Sequence, residues 1–88
     1  MRAEIKLTTV RDIRDLHEYL NAELRLRRVA PTLDALREAL ENPHCEAEIE
    51  FTDYGRISGV LLDYVNKMIE MIVIVGEKNP NVNVMITM

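Results

Sequence analysis

Asp34 and Glu38 stand four residues apart in the segment Leu33-Asp34-Ala35-Leu36-Arg37-Glu38-Ala39-Leu40-Glu41. At helical spacing two carboxylates four apart share one face, and Glu41 extends the row. Three uses are open to such a row. Two carboxylates in a cleft that drives their pKa values apart can act as general acid and general base. An exposed acidic face can meet a cationic partner. A solvated face, balanced by Arg37, does neither. A short surface helix supplies no cleft of its own, so the expectation is a protein that is not an enzyme.

The remaining inventory points the same way. Ser58 is the only serine, so no serine–histidine–acid arrangement beyond that position is possible. His44 precedes Cys45 directly, and neighbours in sequence do not naturally face each other as base and nucleophile. His17 and His44 lack the i, i+4 spacing of metal ligands on a helix, and His17 is expected at the edge of an apolar stripe. Gly55, Gly59 and Gly76 match no phosphate-cradling loop. No cofactor and no metal are therefore expected. Arg25, Arg27 and Arg28 form a basic cluster, read either as an anion contact or as cations favoured near a helix C-terminus.

The elements that position these residues must come from 88 residues, enough for one domain and one core. Hydrophobic residues at 48% and charged residues at 30% describe a globular chain. A net charge of −4 argues against direct binding of nucleic acid or an anionic membrane. The longest apolar run, Met71 to Val75, is far too short to span a bilayer. One cysteine, Cys45, and a charged N-terminal segment fit a reduced, cytoplasmic protein.

Residues 3–8 alternate, with Ala3, Ile5 and Leu7 on one face, and predict a strand. Thr9, with Asp12 three positions on, predicts the cap of a helix over 10–25 with Ile13, Leu16, Leu20 and Leu24 inward. Thr32 predicts the cap of a second helix that ends at Asn42-Pro43. Residues 46–52 alternate again, with Ala47, Ile49 and Phe51 inward and three glutamates outward. Residues 82–88 read as a last strand. The stretch 60–77 is ambiguous. Its apolar residues suit a helix face, yet Met71-Ile72-Val73-Ile74-Val75 has strand propensity and a hairpin with 82–88 is open.

The ordered set Asp15-Leu16-His17, Leu20, Leu24, Leu26 and Leu33-Asp34-Ala35-Leu36 resembles the barstar family, intracellular protein inhibitors of the secreted ribonuclease barnase. The likeness runs over the whole chain, through a strand at 46–52 and Asn79-Pro80 before the closing strand. It implies one α/β domain over 1–88, a three-stranded parallel sheet with helices packed mainly on one face, and 60–77 as helix.

The resemblance also implies a function. The second helix and the loop before it would plug a ribonuclease active site, their carboxylates standing where RNA phosphates bind. Asp34 and Glu38 match the family's two key acidic positions on that helix, and Thr32 its cap. Arg28 stands where a contact tyrosine is usual, Arg37 where a tryptophan is, and Val29-Ala30 where Tyr-Gly is. An acidic contact from the last helix aligns with Ile74, with Glu70 and Glu77 a turn to either side. The expected partner-binding residues are Asp34, Glu38, Arg37, Arg28, Thr32, Glu41 and Glu77. The expected partner is a ribonuclease, met by a chain that is monomeric when unbound. A barstar-fold interaction domain with a different partner is the alternative. A bare sheet edge and Met68, Met71 and Met88 offer a route to dimers, but core packing is the expected use of these methionines.

Overall fold

The computed structural model describes residues 1–26 and 29–88. Strand β1, Arg2–Lys6, buries Ala3 and Ile5 and exposes Arg2, Glu4 and Lys6. It stops short of the expected Thr8 because Leu7–Thr9 turn into a single 3₁₀ turn. There the Thr9 hydroxyl donates to the Lys6 carbonyl at 2.7 Å, and Leu7 stays buried. Thr9 therefore closes this turn instead of capping the first helix. The cap is Asp12, whose Oδ1 accepts from the Asp15 N–H at 2.7 Å, and α1 runs Ile13–Leu24, three residues later than expected. Its inner face is Leu16, His17, Leu20 and Leu24.

Helix α2, Leu33–Glu41, follows the sequence pattern closely. The Thr32 hydroxyl accepts from the Ala35 N–H at 3.1 Å, and Leu36 and Leu40 are buried. Asn42, before Pro43, leaves helical geometry and ends it. Strand β2, Ala47–Thr52, buries Ala47, Ile49 and Phe51.

The ambiguous stretch is helix α3, Gly59–Lys78. The hairpin alternative is absent. Val65, Met68, Ile72 and Val75 line its buried face at helical spacing, while Val73 and Ile74 point outward. Burial with a period of 3.6 outweighs the β preference of single residues, which is worth a few tenths of a kcal/mol each. Strand β3, Val82–Ile86, closes the fold, shorter than the expected 82–88.

The sheet order is β1-β2-β3 and both ladders are parallel, with Ile5 beside Phe51 and Ile49 beside Val84. Ala3, Ile5, Ala47, Ile49, Phe51 and Val82 face the three helices in one core. The opposite face is left open, with Arg2, Glu4, Lys6, Glu48, Asn83 and Met85 exposed. The architecture is thus the one-sided parallel α/β sheet that the resemblance implies, and the alternation of the strands fits its single covered face. Glu50 on that open face does more than meet solvent. It accepts from Arg2 at 2.8 Å and from the Thr87 hydroxyl at 2.8 Å, tying three chain segments together. No helix among the described residues is long and apolar enough to cross a membrane.

Candidate functional site

Helix α2 presents its charged face to solvent because Leu36 and Leu40 hold the other face in the core. The Asp34 side chain is 90% exposed, and Arg37 lies between two carboxylates, 3.6 Å from Asp34 and 3.6 Å from Glu41. Glu38 is exposed and joins no ion pair among the described residues. Surface pairs of this kind contribute about 0–1 kcal/mol, so the carboxylates remain available to a stronger cation. Three carboxylates against one guanidinium leave the face negative.

Thr32 is at the head of this face, and its hydroxyl is engaged as the helix cap. Arg28 lies outside the described residues. Glu77 is exposed on α3, which packs against α2, in a row with Glu70, Val73 and Ile74. No ion pair joins Glu77 to the charges of α2 among the described residues. Of the expected set, then, Asp34, Arg37 and Glu41 are brought together directly, Glu38 shares their helix, and Glu77 belongs to the neighbouring helix.

What positions the loop before α2 is a polar cluster that sequence reasoning missed. His17 is 2% exposed. Its Nδ1 lies 3.0 Å from the Ala30 carbonyl and its Nε2 2.6 Å from the Tyr64 hydroxyl. A carbonyl only accepts, so Nδ1 carries the proton and Nε2 accepts from Tyr64. Asn21, one turn on from His17, adds a second clamp. Its side-chain carbonyl accepts from the Ala30 N–H at 3.1 Å, and its amide donates to the His17 carbonyl at 2.7 Å and to the Ala30 carbonyl at 3.3 Å. Residues of α1 and α3 thereby fix Ala30, two positions before the α2 cap. Burial holds the His17 pKa below its ordinary value of 6.5, against the opposing pull of the Ala30 hydrogen bond, and burial raises that of Tyr64. The signal was present in the sequence: His17 completes the stripe Ile13, Leu20 and Leu24 at helical spacing.

The far end of α2 is tied by Asn79, which the resemblance gave only as half of the Asn-Pro before the closing strand. Its buried side-chain amide donates to the carbonyls of Leu40 at 3.2 Å, Asn42 at 3.2 Å and Cys45 at 3.0 Å. Both ends of the acidic helix are therefore anchored through side chains of α1 and of the α3–β3 connection.

Neither Asp34 nor Glu38 is enclosed, the condition that acid–base chemistry between them requires. A cleft of about 600 Å³ opens elsewhere, between Arg25 and Leu26 at the end of α1 and Ala39, Asn42, His44 and Cys45. Burial pushes the Cys45 thiol pKa up, away from the thiolate a nucleophile needs. Among the described residues no group of three His, Cys, Asp or Glu side chains is placed to hold a metal ion.

No protein-family model matches this chain, and no curated protein matches it.

Proposed function

We propose that this protein is a non-enzymatic, cytoplasmic inhibitor of a ribonuclease of the barnase type, and that it blocks the nuclease with α2 and the loop before it. The observation that supports this reading is an exposed acidic helix whose two ends are anchored, by Ala30 on one side and Asn79 on the other. A pre-set helix loses little conformational entropy on binding. Its carboxylates occupy a cationic phosphate site by the same electrostatics that draw RNA there, and opposite fields speed encounter. Asp34 and Glu38 supply the charge, Thr32 sets the helix start, and Glu41 and Glu77 extend the negative rim. Arg37 stands at the contact, and the resemblance assigns Arg28 to it as well.

The test is titration of a barnase-type ribonuclease with the wild-type chain, Asp34→Ala and Glu38→Ala. Each substitution should weaken inhibition at least about tenfold, or about 1.4 kcal/mol. Wild-type association should slow as salt rises. Unchanged inhibition by both variants would remove α2 from the interface.

The second reading is a barstar-fold interaction domain with a partner that is not a ribonuclease. Arg37, held between Asp34 and Glu41, favours a partner of mixed charge. Arg37→Ala separates the two. It should tighten binding to a cationic nuclease site and weaken binding to a mixed-charge partner.

A further inference from the structure

The two edges of the sheet are built differently. At one edge, β1 alternates exposed Arg2, Glu4 and Lys6, the charges that discourage a further strand from pairing. At the other edge, β3 carries none. No charged residue occurs from Asn79 to Met88.

The β3 edge is also open. It pairs with β2 on one side and with no strand on the other among the described residues. In a parallel ladder the backbone groups of alternate residues face the same neighbour. The Asn81 carbonyl accepts from Ala47 and the Thr87 N–H donates to Phe51, so Asn83, Met85 and Thr87 face β2. The N–H and C=O groups of Val84 and Ile86 point outward. Around them Met85, Ile86 (45% exposed) and Met88 (73% exposed) put apolar surface into solvent. Met68 packs in the core as expected of these methionines, but Met88 does not.

We propose that this edge is a self-association surface, on which a second copy of the chain adds its own β3 antiparallel to the first and continues the sheet to six strands. The occupant follows from charge. Each copy carries a net charge of −4, so most faces of two copies repel one another, whereas β3 against β3 sets no charge against charge. A two-fold axis at Val84 places Ile86 beside the other copy's Val82. An axis at Met85 places Ile86 beside its Val84. In both registers β-branched side chains meet on the helix side of the sheet. The pairing consumes both β3 edges and leaves the charged β1 edges outermost, so it closes at a dimer. A single strand pair buries less than a standard interface, which makes the association weak and concentration-dependent. It departs from the unbound monomer expected of the sequence and does not depend on the inhibitor reading.

Sedimentation velocity on the intact chain, from about 1 µM to about 1 mM, spans the affinities such an interface reaches. The weight-average mass should climb toward twice that of the monomer. Ile86→Lys sets like charges near the axis on a half-exposed side chain, and should remain monomeric throughout. Glu23→Gln, exposed on α1, should associate as the wild type does. Amide hydrogen exchange on the unsubstituted chain gives a readout independent of any variant: Val84 and Ile86 should slow as concentration rises. A monomer mass at every concentration, exchange that ignores concentration, dimers of Ile86→Lys, or growth beyond the dimer would each overturn the proposal.

Discussion

His17 is the residue at which folding and pH meet most directly. Burial lowers its pKa below 6.5, so the folded chain keeps the ring neutral at pH values where the unfolded chain has begun to protonate it. Between the folded pKa and 6.5 the unfolded state holds more protons. The stability that neutral His17 contributes is therefore present above pH 6.5 and is lost as pH falls through the folded value. The urea midpoint should drop between pH 7.5 and pH 5.5, and His17→Gln should flatten that slope; an equally steep slope in the variant would assign the proton to another group. The residue scale is also where sequence reading reached least far. Asp34, Arg37 and Glu38 were legible as a charged helix face because spacing alone puts them there. The clamp on Ala30 was not, since His17, Asn21 and Tyr64 meet only once α1 and α3 are packed. Spacing reports which face a residue occupies, but not which carbonyl waits opposite.

At the scale of elements, α3 shows both the reach and the limit of local pattern. Its period of buried residues was visible, and so was the β-branched run that argued against it; burial of Ile72 and Val75 decides for helix. The boundaries of β1 and α1 misled because Thr9 reads as the cap and Asp12 as its partner three positions on, whereas the Thr9 hydroxyl is committed to Lys6 and Asp12 is itself the cap. Gly76 exposes a constraint that propensity would get wrong. Alanine there should favour the helix by about 1 kcal/mol. A Cβ at this position, however, would come within 2.8 Å of the Val82 carbonyl oxygen, which is backbone and cannot step aside. Overpacking of this kind costs about 1–3 kcal/mol. Gly76→Ala should lower the melting temperature in a thermal scan, and a rise would show that β3 can shift away from α3.

The whole molecule has one core, filled from the sheet on one side and three helices on the other, with Phe51 at 0% exposure within it. With no second core among the described residues to unfold separately, far-UV circular dichroism and tyrosine fluorescence should trace the same urea transition. Fluorescence reads Tyr19 on α1, Tyr54 in the turn after β2 and Tyr64 on α3, so two displaced curves would mean that part of the fold leaves the sheet before the rest. At this scale alternation made a sheet with one covered face legible, but the parallel order came only with the resemblance, since local pattern left a hairpin between 71–75 and 82–88 open. The all-parallel order has a kinetic consequence as well. Arg2 finds its partner at Glu48, and Ala47 finds its partner at Val82. No ladder can zip outward from a hairpin, so each waits for a long connection to close, around α1 and α2 for the first and α3 for the second. Contacts of such wide sequence separation slow the search for the native state. Helix contacts join near neighbours and sheet contacts do not, so the closing of the sheet is the step expected to set how fast this chain reaches its native form.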